Sequence, residues 1–287
     1  MTDPIRIFIG TEPRMWLGNA VLKHSIEKLA TAPVDIHMMD YSEEDPTWHN
    51  WDMGRPPHVP CTRSLNEKGN SVWFTDFTNF RWAIPEKCGF EGRAIYNDFD
   101  QIYTKDPKEL WDIDMGGKAM LTLTMYETSV MLFDCAKFGE FDWWPSVEEM
   151  KTNGFGIRQY CELLFHKNVT GQLPFHWNCL DGRPGTPWME GYTGCVHYTD
   201  MSGQINRPYP EALKYHRHHV RRLEEVWMDC YYDMEEEGKM PSPCGLELPI
   251  ASPDDPTVLS AFKNFKVIWE EEKSTGHRDG PNLYLET

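Results

Sequence analysis

Residues 93 to 103 read RAIYNDFDQIY, and the way this stretch is taken decides the fold. Ala94, Ile95 and Tyr96 open a β-favouring run that delivers two carboxylates, Asp98 and Asp100, at positions i and i+2. In an extended backbone successive side chains alternate faces, so the two acids share one side and Phe99 turns to the interior. Two carboxylates on one face repel each other, a cost that a divalent cation or a shared proton removes. The chemical reading is therefore a metal at the end of a buried strand. The plainer reading is a strand that stops in a solvated turn, where Asp is common. A lone D-x-D leaves both open.

Upstream, Ile5 to Ile9 is a short apolar run broken at Gly10, a first buried strand. From Met15 to Leu29 the positions Leu17, Val21, Leu22, Ile26 and Leu29 keep helical spacing, and Val34 to Met39 reads as a second strand after Pro33. Such a β-α-β opening implies parallel strands and a right-handed crossover. Ligands in an open α/β sheet sit beyond the carboxyl ends of its strands, which makes Thr11 and Glu12 candidates for the ligand edge. An ordinary β-α loop is the bland alternative for Glu12.

Tyr41 to Gly69 carries four prolines with Trp48 and Trp51 and reads as a long irregular excursion, its aromatics either walling a pocket or packing on the domain. Ser71 to Ile84 suits a helix ended by Pro85, with Arg81 as its polar exception. Ala119 to Met125 and Ser129 to Phe133 suit strands. Phe155 to Phe165 reads as a helix, Leu173 to Leu180 as extended, Gly194 to Tyr198 as a short apolar piece carrying His197, and Glu211 to Met234 as a long helix. Beyond about Gly238 the chain is Pro-rich and acidic, with at most one helix near Val258 to Trp269. No internal repeat or low-complexity tract is present.

The length of 287 residues suits one generous domain or a domain with an appendage. With 40% hydrophobic residues, 13% aromatics and 12 Trp, burial can offset chain entropy over most of it. A net charge of -17 excludes a general nucleic-acid binder, whose footprint is basic, and means that an anionic phosphate must be drawn in by a local device. Eight cysteines include no C-x-x-C pair and no zinc-ligand spacing, which points to reduced, mostly buried thiols. With no secretory leader pattern in MTDPIRIFIG and no apolar run near the ~18 residues of a membrane span, a cytoplasmic location is expected.

Taken in order, IRIFIGTE, NFRWAIPE, AIYNDFDQIYTKDPKELW, ETSVMLFD, RQYCELLF, LPFHWNCLDG and VHYTDMSGQINRPY resemble the GT-A glycosyltransferases of family 8, the glycogenin and lipopolysaccharide galactosyl- and glucosyltransferase type. The resemblance covers about Arg6 to Tyr209. It implies an α/β fold with a Rossmann-like mixed sheet flanked by helices, a catalytic domain over 1–210, and a C-terminal helix and Pro-rich extension over 211–287 packed on it. It also implies retaining, Mn2+-dependent transfer (Mg2+ being the other candidate) of a hexose from a UDP-sugar to a glycan, glycolipid or small hydroxyl acceptor.

Carried over by position, Asp98 and Asp100 match the family's metal-binding D-x-D and His197 its third ligand. Carboxylates and an imidazole suit Mn2+, and its open positions take two diphosphate oxygens. Arg81 matches a phosphate-contacting Arg, Thr11 and Glu12 the strand end that holds base and ribose, and Asn97 a ribose or donor-sugar contact. Gln159 matches a Gln near the anomeric carbon, and Asp181 with Trp177 would line the acceptor side. The chain departs from the family at Arg158 and Tyr160, which flank Gln159, at Glu127, Thr128 and Ser129 in place of N-[AS]-G, and at Gln204 and Arg207 in place of a C-terminal Lys that meets the diphosphate.

Two other readings remain. DFDQI resembles the loop of haloacid-dehalogenase-like phosphatases, with Asp98 as nucleophile, although that motif usually sits on the first strand. The Trp-rich loops would also suit a non-catalytic carbohydrate-binding protein. The basic cluster KYHRHHVRR at 214–222 could face anionic lipid headgroups at the inner face of a membrane, or form a solvated helical face paired with nearby Glu.

Overall fold

The computed structural model describes residues 3–12, 15–41, 44–56, 73–181, 188–199 and 220–239, together with Glu270 and Ser274. The expected boundary at 210/211, Gln204, Arg207, most of the 214–222 cluster and the 258–269 segment lie outside the described residues.

The opening is the β-α-β unit read from the apolar runs: β1 (Ile5–Gly10), α1 (Trp16–Leu29) and β2 (Val34–Met39), with β1 and β2 parallel. In the excursion that follows, a 3-10 turn at Pro46–Trp48 is capped by the Asp45 carboxylate, which accepts from Thr47 N at 3.0 Å. Trp48 and Trp51 are buried against Phe80, with ring centroids 5.5 Å away in each case, so they pack on the domain and do not wall a pocket.

The helix expected over Ser71 to Ile84 does not form. Residues 74–79 are bends and turns, followed by a 3-10 turn at Phe80–Ala83 and a short α2 (Ile84–Lys87). Pro85 does not end a helix there; it stands in the first turn of α2, where its missing N–H is no loss. Upstream, the Thr78 hydroxyl takes the Thr75 N–H at 3.0 Å, a local bond that competes with helical pairing.

The central strand β3 (Arg93–Asp98) runs directly into β4 (Gln101–Tyr103). Then come α3 (Pro107–Trp111), β5 (Met120–Thr124), β6 (Glu127–Asp134), α4 (Cys135–Phe138), α5 (Val147–Thr152), α6 (Ile157–His166) and β7 (Thr170–Gln172). The stretch expected to be extended from Leu173 to Leu180 instead holds a 3-10 turn at Phe175–Trp177, which Pro174 opens, and a two-residue β8 (Cys179–Leu180). β9 (Cys195–His197) and α7 (Arg221–Glu236) complete the described elements, α7 burying Leu223 and Trp227 as its spacing predicts.

Six strands form one mixed sheet in the order β2-β1-β3-β6-β5-β7, and β4, β9 and β8 form a second, smaller sheet. β1 is parallel to β2 and β3, while β6 runs antiparallel to β3 and β5. Ala94, Ile95 and Tyr96 of β3 and Val130 to Phe133 of β6 are wholly buried, so the middle of the sheet is anchored on both faces. Burying each large apolar side chain there is worth on the order of 1.5–3 kcal/mol.

Register does the rest. Gly10 at the end of β1 stands beside Asp98 at the end of β3, and Gln101 of β4 faces His197 of β9. Since β6 begins at the same edge, Glu127, Thr128 and Ser129 arrive there too. No helix among the described residues is long and apolar enough to cross a membrane.

Candidate metal centre and cleft

Three side chains meet where the two sheets join. Asp98 comes from the end of β3, Asp100 from the link between the sheets, and His197 from β9 in the small sheet. One potential ligand atom from each lies within 4.8 Å of the others. Phe99 between the two acids is turned inward as alternation predicts, packed edge-on against Phe77 with ring centroids 5.9 Å apart.

Asp98 is gripped from one side. Its Oδ1 accepts from Arg81 Nη2 at 3.0 Å and from the Tyr96 hydroxyl, and the Arg81 guanidinium lies 4.4 Å above the centre of the Tyr96 ring. Arg81 is itself buried, with Nε donating to Thr78 O at 2.9 Å and Nη1 to Thr128 O and Oγ1 at 2.7 and 3.0 Å. The fork expected to meet a phosphate is thus committed to holding Asp98 and the start of β6, although Arg81 still borders the cleft.

His197 is held from the opposite side. Its Nε2 faces Asp100 Oδ1 at 3.2 Å, and its Nδ1 lies 3.0 Å from Ser129 Oγ and 3.2 Å from Asn178 Oδ1. Burial disfavours the imidazolium, but Asp100, and then Asp98, more than offset this and raise the His197 pKa above its ordinary value. Burial also raises Asp98, with the Arg81 charge pulling it back and Asp100 pushing it up again. A half-buried and a buried acid beside an imidazole whose pKa they raise form a site in which a divalent cation can replace a proton. The donor set, two carboxylate oxygens and one imidazole nitrogen, fits Mn2+ or Mg2+ better than a thiophilic metal.

The triad opens into a cleft of about 260 Å³, lined among others by Phe74, Phe77, Thr78, Tyr126, Ile157 and Thr199. Phe74 and Tyr126 are the exposed aromatics on its rim.

The remaining candidates are placed as follows. Thr11 donates to Asn19 Oδ1 at 2.6 Å, and Glu12 Oε1 accepts the Asp76 N–H at 3.1 Å, tying the end of β1 to the cleft wall. Asn97 faces away from Asp98 and is buried between Gln101 Oε1 (2.6 Å) and the Tyr103 hydroxyl (2.9 Å). Gln159 folds back to accept the Gly156 N–H at 3.0 Å at the start of α6. Asp181 is buried and accepts from the hydroxyl of Thr199, a residue of the cleft lining, at 2.7 Å. Trp177 lies in the core against Gly194, where a Cβ would come within 2.7 Å of its ring.

Tyr96 and Asn178 were not among the candidate site residues read from sequence, and Ser129 was marked there only as a departure from the family's pattern. Alternation puts Tyr96 on the Asp98 face and is the signal for it. Nothing local marks Asn178.

No protein-family profile matches the chain. Among curated proteins, Protein CDI of Arabidopsis thaliana is 26% identical over 220 residues, covering 68% of this chain and 78% of CDI. Among solved structures, the bifunctional glycosyltransferase WbbM superposes with a TM-score of 0.54 at 14% identity over 84% of this chain. The galactosyltransferase LgtC, in complex with donor and acceptor sugar analogs, gives 0.51 at 13% identity over 82%. The fold is that of the GT-A glycosyltransferases. The chain spans about half of WbbM (52%) and matches the full length of LgtC (100%). Within the GT-A architecture described here, the Asp98, Asp100 and His197 triad stands at the strand-end edge, where open α/β sheets hold their ligands.

Proposed function

We propose that this chain is a metal-dependent glycosyltransferase that moves a hexose from a nucleotide-sugar to a hydroxyl acceptor. The observation that carries the proposal is the convergence of Asp98, Asp100 and His197 at the edge of a cleft in a GT-A fold. Assignment to family 8, a retaining outcome, Mn2+ as the metal and UDP-glucose, UDP-galactose or UDP-GlcNAc as donor are the finer parts of the reading. They rest on the order of sequence motifs from IRIFIGTE to VHYTDMSGQINRPY.

Asp98, Asp100 and His197 would hold the cation, which when bound supplies Lewis-acid stabilisation of the charge that builds on a leaving diphosphate. Arg81 and Tyr96 fix one oxygen of Asp98, so the other would be free to meet the cation. The guanidinium adds fixed positive charge at the border of the cleft, in a chain whose net charge of -17 otherwise repels phosphates. Thr11, Glu12, Asn97 and Gln204 are retained as donor-side candidates and Gln159 and Asp181 as candidates near the transferred sugar. For a retaining front-face attack the leaving phosphate oxygen takes the acceptor proton, so no strong protein base is needed. A cytoplasmic site of action, with 214–222 touching an anionic membrane when the acceptor is a glycolipid, completes the reading.

The phosphatase alternative fits less well. Asp98 Oδ1 accepts from both Arg81 and Tyr96, which draws electron density from the carboxylate as a whole and makes it a poorer nucleophile. The motif also ends the third strand, not the first.

The test is a thermal-shift series with UDP, other nucleotides and Mn2+ in factorial combination. A ligand at a hundred times its dissociation constant stabilises by about 2.7 kcal/mol, and UDP should reach that only with metal present. Equal shifts with and without metal, or unchanged metal-dependent shifts in Asp98→Ala, Asp100→Ala and His197→Ala, would refute the site.

A further inference from the structure

Behind His197 lies a closed set of hydrogen bonds that the metal reading by itself does not require. Ser129 Oγ donates to Glu127 Oε1 at 2.6 Å. Asn178 Nδ2 donates to the same Ser129 Oγ at 3.0 Å. His197 Nδ1 stands 3.0 Å from Ser129 Oγ and 3.2 Å from Asn178 Oδ1. Ser129, Asn178 and His197 are all buried, on β6, in the turn before β8 and on β9 respectively.

The direction of these bonds follows from counting protons. A carboxylate offers only acceptors, so the single Ser129 hydroxyl proton goes to Glu127. Ser129 Oγ is then left with lone pairs, one filled by the Asn178 amide and one turned to His197. With its amide hydrogen pointed at Ser129, Asn178 presents its carbonyl oxygen to the same ring nitrogen. Both groups that meet His197 Nδ1 are therefore acceptors, and the ring must carry a proton there.

We propose that Glu127, Ser129 and Asn178 act as positioning residues that lock the His197 proton on Nδ1 and thereby aim the Nε2 lone pair at a cation shared with Asp98 and Asp100. The inference rests on the metal-dependent reading above and adds to it a reason for the unusual Glu127-Thr128-Ser129 run. A glycine in place of Ser129 could not carry the hydroxyl on which the relay turns. Partners behind a ligating imidazole fix its tautomer and orientation, and their loss typically weakens metal affinity about ten- to a hundredfold.

Two measurements on the full chain test this. The first uses the metal-free wild type with 15N-labelled histidine, at a pH above the titration of His197, and reads the ring tautomer by long-range nitrogen–proton correlation. The expected signature is a proton on Nδ1, with or without a second one on the Nε2 that faces Asp100; a bare Nδ1 overturns the relay. The second measures Mn2+ affinity by electron paramagnetic resonance in wild type and Ser129→Ala. A loss of tenfold or more is expected, whereas unchanged affinity overturns the proposal. Should Ser129→Ala fail to fold, the wild-type tautomer still decides. Should the wild type not bind Mn2+ at all, the metal reading fails, and the tautomer separately judges the hydrogen-bonded relay.

Discussion

Gly10 lies so close beneath the hydroxyl of Tyr96 that a Cβ at position 10 would stand 2.4 Å from it. The Phe77 ring would be 2.5 Å from that Cβ as well. A small residue at the end of β1 is thus what lets Tyr96 reach Asp98, and the geometry of the candidate metal centre depends on a residue that carries no chemistry.

Gly10→Ala should therefore act on both stability and binding. Neither aromatic ring is a flexible chain end, so the overpacking should cost about 1–3 kcal/mol in urea denaturation. Mn2+ affinity should fall as Tyr96 is pushed off Asp98. Tyr96→Phe removes one of the two clashing atoms, and the double variant should be less destabilised than the sum of the single ones. Strict additivity would show that the two positions do not communicate.

Arg81→Met leaves the Asp98 carboxylate buried without its closest positive partner. Breaking one side of such a pair costs about 3–5 kcal/mol. Arg81→Lys should recover only part of this, because one ammonium cannot serve Thr78, Thr128 and Asp98 together as the guanidinium does. Chemical denaturation of the two variants side by side checks the order; equal stability would assign Arg81 a merely electrostatic role.

The pH response should change sign with metal. Although burial opposes it, Asp100 and Asp98 hold His197 above its ordinary pKa, and burial does the same for Asp98. A group raised on folding stabilises the metal-free protein below its unfolded value, about 6.5 for His, and that stability is lost as pH rises through the folded value. Cation binding displaces the same protons and so tightens with rising pH. Melting temperatures across this range, with and without MnCl2, should diverge as pH increases. Parallel curves would contradict the triad.

His24 on α1 should act in the opposite direction at lower pH. It is buried, neither ring nitrogen has a hydrogen-bond partner among the described residues, and burial lowers its pKa. A lowered histidine contributes stability above its unfolded value of about 6.5 and loses it as pH falls below. His24→Leu should flatten the acid side of the stability profile. An unchanged slope would show that the ring reaches water on the time scale of titration.

Much of this could be read from the chain because the deciding patterns were local. Ile5 to Ile9 and Val34 to Met39 formed the strands that their apolar runs require, and the alternation in IYNDFD put Phe99 in the core with both acids at the site. Where the physics was not local, the reading stopped. Arg81 carries a charge that suits a phosphate, yet its fork closes on Thr78, Thr128 and Asp98, partners up to 47 positions away. Ser71 to Ile84 has the apolar content of a helix, but Thr78 captures the Thr75 amide and Pro85 starts the next helix instead of ending this one. Ser129 and Asn178 are 49 positions apart, and the pairing of β9 with β4 and β8 brings their contacts with His197 into being.

That small sheet has one more implication. Asp98 belongs to the large sheet and His197 to the small one, whose hydrogen-bonded ladder among the described residues runs through β4, β9 and β8. Whatever occupies the space between them clasps two separately laced pieces of backbone. A cation in that space would add a tie between the two sheets to the Gln101–Ser129 bond that already crosses from β4 to β6.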